Sequence, residues 1–302
     1  MVKKEIVDIH DFTGSKPRSN RDKIFEYIKS RRALIHRQEP QFSNSILGLP
    51  DSDWNYIVSL IQGDRKLAIE VASLLAKYTY DVPLRLNLPE EEKMHRDFKS
   101  LEMNRLQKIP NEQCQLRGEP YSYPVNDTFV YNWNLTGLIV ANAFMFPAMC
   151  NVESDLLKEN LYSQWEKESF RCTVFRNMLN LNMGSGVGNV FSAIKTGTYF
   201  PSNFRPTVAK EIYNRYGCGL PGLEDKPTVL DFSSGFGGRF TGFWSSNAKH
   251  YIGVDPNSVL LEPYGQLQDW LETGYPKPFK SYEFIQAAAE DVDFSGLKGK
   301  SG

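Results

Sequence analysis

Two acids and a run of glycines near the C-terminal end have the spacing of a ligand site. Asp231 lies near the end of a short apolar run, Thr228 to Phe232, and Asp255 closes a second, His250 to Val254. Between them lie Ser233-Ser234-Gly235-Phe236-Gly237-Gly238 and then a stretch of aromatic and small residues compatible with a helix. Residues without Cβ let backbone approach a ligand closely and adopt positive φ. An acid at the tip of the second run is placed to accept hydrogen bonds from vicinal hydroxyls, and Asn257, in the turn Pro256-Asn257 behind it, joins the same candidate set. Strand, glycine loop, helix, strand and acid together form the unit with which doubly wound α/β folds hold a nucleotide-like cofactor.

The residues also narrow the ligand. A dinucleotide fingerprint requires a small residue where Phe240 stands, so Gly235-x-Gly237-x-x does not complete it. A carboxylate at position 231 disfavours a pyrophosphate and suits a ligand that is cationic there, as the ammonium and sulfonium of S-adenosylmethionine are. The segments VLDFSSGFGGRF and YIGVDPN resemble the class I S-adenosylmethionine-dependent methyltransferases, closest to the DNA methyltransferases that modify the exocyclic amino group of adenine or cytosine. The resemblance covers residues 198 to 291. It implies that Asp231, Ser233, Gly235, Gly237 and Gly238 lie at the methionine end of the cofactor, and Asp255 with Asn257 at the ribose. Thr198-Tyr199-Phe200-Pro201 and the helix after it are similar to that family's tenth motif, which places Tyr199 and Phe200 over the methionine end. Glu290 or Asp291, after a third apolar run at Tyr282 to Gln286, is then expected near the adenine amino group, with the choice between them open.

The elements that must position these groups are read from periodicity and punctuation. Pro206 at a helix start and Gly217 past its end frame a helix in which Val208, Ala209, Ile212 and Tyr216 share a face. A further helix is expected from about Ser258 to Thr273, kinked or restarted at Pro263. In the N-terminal half, Asn20 to Arg37 has a helical stripe and a basic opposite face, and residues 51 to 80 read as a helical hairpin. Thr128 to Cys150 is the most apolar stretch there, and its composition allows either a strand or a buried helix. Asp155 to Phe175 reads as one helix. Gly184-Ser185-Gly186-Val187-Gly188 has the look of a phosphate loop without its Lys-Ser/Thr ending, so a flexible loop is expected. Lys167, Arg171, Arg176, Lys195, Arg205, Lys210 and Arg215, interleaved with Phe170, Phe175, Tyr199 and Phe204, form the candidate phosphate-tracking surface for DNA.

Composition sets the outer bounds. The 302 residues are 41% hydrophobic and 24% charged with a net charge of −1, which gives no global argument for a polyanion partner. No apolar run approaches the roughly 18 residues of a membrane span. Four scattered cysteines, without a CxxC pair, indicate a reducing, cytoplasmic setting and no structural zinc. The expected architecture is α/β, with an incomplete Rossmann-like class I methyltransferase sheet after a mainly helical N-terminal region. Its divisions are 1–127 helical, 128–197 helical or linking and DNA-contacting, and 198–302 cofactor-binding. The Pro-Pro-Tyr/Phe motif with which amino-methyltransferases hold the flipped base has no counterpart here. The expectation is therefore a chain whose catalytic half lies beyond residue 302, in preference to a permuted one, and which is inactive alone. Two other classes stay open: a methyltransferase acting on a small molecule or protein, and a non-catalytic binding subunit that keeps the cofactor fold.

Overall fold

The computed structural model describes residues 19–37, 45–103, 115–116, 119–120, 135–153, 158–197, 200–216 and 227–295. The architecture is mixed α/β, mostly helical, with a small three-stranded parallel sheet. In chain order the helices are α1 (Asn20–Arg37), α2 (Asp51–Ile61), α3 (Arg65–Tyr78), α4 (Glu91–Met103), α5 (Leu138–Asn151), α6 (Leu161–Trp165), α7 (Glu168–Asn180), α8 (Val187–Gly197), α9 (Pro206–Tyr216), α10 (Gly238–Trp244) and α11 (Leu261–Gly274). A two-residue antiparallel pair, β1 (Gln115–Leu116) and β2 (Glu119–Pro120), precedes the sheet strands β3 (Thr228–Asp231), β4 (His250–Val254) and β5 (Ser281–Ile285). Two compact units interleave along the chain: Met1–Asn87 with Leu161–Tyr199, and Leu88–Asn160 with Phe200–Gly302. This differs from the expected contiguous division at 127 and 197. Among the described residues no helix is long and apolar enough to cross a membrane.

The first unit is helical. The Asp64 side chain caps α3 by accepting the N–H of Lys66 and Leu67, and Leu67, Val71, Ala72 and Leu75 give it a buried stripe facing α7. The single helix expected from 155 to 175 is corrected, for its described part, to α6 and α7 with a break at Glu166-Lys167. Arg171 makes that break tenable. Only 2% exposed, its guanidinium donates to the carbonyls of Trp165 (2.6 Å), Glu166 (2.8 Å) and Ala76 (3.2 Å), groups that the broken helix and the end of α3 leave without helical partners. The glycine segment at 184–188 is likewise no free loop. Ser185 is buried, its hydroxyl donates to Asp51 and its carbonyl accepts the N–H of Ile46, Gly186 bridges to Ser45, and α8 begins at Val187. The basic face of α1 is largely paired: Arg31 with Asp53, Arg21 with Glu70, and Arg32 over the ring of Tyr78.

The second unit carries the sheet. Parallel strands cannot be joined by a tight turn, so α10 and α11 serve as crossovers and the strand order is β3-β4-β5. Thr228 pairs with His250 and Asp231 with Gly253, while Val254 pairs with Ile285. Aromatic residues fill the core: Phe240 and Phe243 of α10 meet Tyr251 of β4 and, with Tyr264 and Phe284, form a contiguous cluster. The open choice at Thr128 to Cys150 resolves, where described, as the buried helix α5. Pro263 falls in the first turn of α11, which a 3-10 turn at Ser258–Leu260 introduces, so its missing N–H costs no helical bond. Lys280 closes the other end of α10, its ammonium donating to the carbonyls of Phe243, Ser246 and Ala248.

Helix α5 starts at Gly137, which has no side chain to cap it; Asp97 of α4 takes that role and accepts the N–H of Ile139 (3.0 Å) and Val140 (3.4 Å). Burial raises the Asp97 carboxyl above its ordinary pKa, and the same backbone N–H groups pull it back. Asp97→Ala is expected to cost about 1–2 kcal/mol, the usual worth of a helix cap, read as a lower urea midpoint. An unchanged midpoint would show that solvent caps α5 equally well.

Candidate functional site

The site is built at the carboxyl ends of β3 and β4, where the glycine loop leaves one strand and Asp255 ends the other. Ser234 N–H donates to the carbonyl of Val254 at 2.9 Å, and Gly235 N–H to the Asp255 carboxylate at 2.8 Å. The second oxygen of Asp255 accepts the N–H of Asn257 at 3.0 Å. The Asn257 side chain turns to accept the N–H of Val259, capping the 3-10 turn. Asp255 is therefore a half-buried acid with one backbone bond on each oxygen and lone pairs to spare.

Asp231 is placed differently from a free carboxylate. It is 9% exposed, and one of its oxygens accepts both Arg239 Nε (2.7 Å) and the Tyr251 hydroxyl (2.6 Å). The other accepts the N–H of Ser233 at 3.3 Å. Burial, with the neighbouring Tyr264 and Asp231, holds the Tyr251 hydroxyl far above its ordinary pKa, so it stays a donor to this acid. An acid reasoned to attract a cation by itself is thus half of an ion pair, and the pair as a whole is neutral.

The glycines divide by role. Gly235 has φ +58° and a Cβ there meets nothing closer than 3.6 Å, so space and conformation both suit a ligand. Gly237, at φ +75°, and Gly238 are demanded by the protein itself. A Cβ on Gly237 would lie 2.8 Å from Met145 and 3.0 Å from Leu267, and one on Gly238 would collide with the Phe204 carbonyl oxygen. Packing by itself therefore requires glycine at 237 and 238.

Three residues that hold the loop carry no sequence signal. The Tyr264 hydroxyl accepts the N–H of Gly237 and lies within donating distance of the carbonyls of Ser234 (2.9 Å) and Gly235 (3.0 Å). Asn203 accepts the N–H of Gly238 and donates to the carbonyl of Phe236. Arg239 fixes Asp231. Tyr264→Phe is expected to cost about 1–2 kcal/mol by leaving a buried N–H without its acceptor, with a matching fall in the melting temperature. An unshifted melting temperature would assign the loop's shape to Asn203 instead.

The remaining candidates lie at the margin. Phe200 is half-buried and meets Phe146 edge to face at 5.6 Å. Tyr199 is outside the described residues. Glu290 and Asp291 sit exposed on a 3-10 turn after β5, at the same end of the sheet. Beside β3 a cleft of about 390 Å³ is lined by Phe204, Ile212, Tyr213, Leu230, Ser233 and Arg239, among others. At Asp255, Asn257 and Gln286 the cavity measures only about 10 Å³. The Ser234 hydroxyl borders that smaller space and is buried without a hydrogen-bond partner. The proposed DNA track is corrected: Arg171 and Phe175 are buried in the first unit, Lys210 donates to the carbonyls of Leu101 and Glu102, and the set is shared between the two units. No family model, curated protein or solved structure matches this chain.

Proposed function

We propose that this chain binds S-adenosylmethionine at the carboxyl ends of β3 and β4, on a Rossmann-like class I sheet, as the cofactor-binding part of a methyltransferase acting on exocyclic amino groups in DNA. The observation that carries the reading is the convergence of two parallel strands, a glycine loop with Gly235 open and left-handed, and Asp255 at hydrogen-bonding distance from that loop. Asp255 accepts the ribose hydroxyls through its remaining lone pairs. Ser233, Asp231 and the Gly235 backbone line the methionine end. The unpartnered Ser234 hydroxyl fits a polar group arriving beside Asp255. The cavity there is about the size of one water, so a nucleoside enters by displacing surface side chains such as Leu261, which is 49% exposed. When bound, the cofactor supplies an electrophilic methyl group; the contribution of these residues is to bind and orient it.

Asp255→Ala is expected to weaken S-adenosylmethionine binding about tenfold to a hundredfold, the worth of charge-assisted hydrogen bonds. Asp255→Asn, which keeps an acceptor for Gly235 N–H, separates loop bracing from ligand contact. Calorimetry giving the parent affinity for both variants would overturn the reading.

A further inference from the structure

Arg239 has donor capacity that the protein leaves unused. Its Nε is fixed on Asp231 at 2.7 Å, and the guanidinium lies over the Phe204 ring at 5.3 Å. A guanidinium carries five N–H donors in a rigid fork. Among the described residues, neither terminal nitrogen of Arg239 donates a hydrogen bond. The side chain is 25% exposed and lines the 390 Å³ cleft, a space large enough for part of a small ligand.

The neighbours decide which ligand group belongs there. A bare anion on Arg239 would meet the Asp231 carboxylate, while a bare cation on Asp231 would meet Arg239. An α-amino-acid group, with one charge of each sign on adjacent atoms, matches the pair in both. The Asp231 oxygen not engaged by Arg239 accepts only the 3.3 Å bond from Ser233 N–H and has lone-pair capacity left. Ile212, Leu230 and Phe232 give the rest of the cleft an apolar wall suited to a short hydrocarbon chain.

We propose that Arg239 receives the carboxylate of an α-amino-acid ligand group, with Asp231 facing its ammonium; on the cofactor reading above, on which this rests, that group is the amino-acid end of S-adenosylmethionine. Arg239 is then a binding and orienting residue, held in place by the ion pair that also buries Asp231.

The test compares ligands on the 302-residue chain by calorimetry: S-adenosylhomocysteine, its decarboxylated analogue, and methylthioadenosine, which lacks the amino-acid end. The parent is expected to prefer S-adenosylhomocysteine over the decarboxylated analogue by about tenfold to a hundredfold. Arg239→Gln should abolish that preference and leave methylthioadenosine affinity within about threefold, because a distant contact is independent of the change. The ligand comparison on the parent needs no variant, so a folding defect in Arg239→Gln does not blunt it. Equal binding of the carboxylated and decarboxylated ligands by the parent overturns the Arg239 assignment and leaves the cofactor reading standing. So does a preference that survives in a folded Arg239→Gln. Failure of all three adenosine ligands to bind overturns the cofactor reading itself.

Discussion

Arg171→Met is expected to lower stability by about 3–5 kcal/mol, from up to three carbonyls losing their donor at about 1–3 kcal/mol each, part of it recovered as the chain end admits water. The carbonyls of Trp165 and Glu166 depend on this one guanidinium, while that of Ala76 also accepts the Thr79 hydroxyl at 3.3 Å; the bonds to Ala76 and Trp165 lie in buried surroundings. Methionine fills much of the volume but donates nothing. Because the chain holds two units, unfolding need not be a single transition, so the expected reading is a lower urea midpoint for the transition followed by Trp54 and Trp165 emission. Both indoles belong to the first unit, where their N–H groups donate to the carbonyls of Met183 and Val82. A midpoint within error of the parent would show that water replaces the guanidinium at all three carbonyls.

Gly238→Ala is expected to cost about 3 kcal/mol or more, at the upper end of what overpacking does in a filled core. The added methyl has the Phe204 backbone oxygen in its place, together with the Asn203 amide oxygen, which its hydrogen bonds to the loop hold there. Gly235→Ala is the informative companion. It meets no close neighbour, so only the left-handed backbone opposes it, at about 1–2 kcal/mol. Thermal unfolding of the two variants should therefore separate clearly, Gly238→Ala melting lower. The reverse order would mean that loop conformation, not packing behind the loop, limits this segment.

Much of the second unit is legible from residue order alone. The three apolar runs at 228, 250 and 282 become β3, β4 and β5, each within a residue of the expected start, because a short run punctuated by turn residues has few alternatives. Pro206 and the residues after it become α9 for the same local reason. What residue order leaves out has a common cause, which is that the partners are supplied by other elements of the fold. Arg239 and Tyr251, which hold Asp231, and Met145 and Leu267, which pack against Gly237, leave no mark on the spacing of the loop they surround. Arg171 looks like a DNA-facing charge because its partners, Ala76 above all, lie 95 residues away. Nothing in the spacing of Asn203 or Tyr264 marks them, since a single hydrogen bond to a loop leaves no periodic trace.

The interleaving of the two units governs how the protein can be made. Helix α3 buries its stripe against α7, which the ribosome adds roughly 90 residues later, and α5 waits for α10 and α11 in the same way. Synthesis from the N-terminus therefore completes neither unit in order: α1 to α3 emerge with an uncovered face, and α4 and α5 follow before that face is closed. Shortened chains ending near residue 127 or 150 should be sticky and protease-sensitive. A cut between residues 160 and 161, the middle of the three points where the chain passes from one unit to the other, would leave each unit in two pieces of chain held only by packing, so nicked protein should stay associated until denaturant is added.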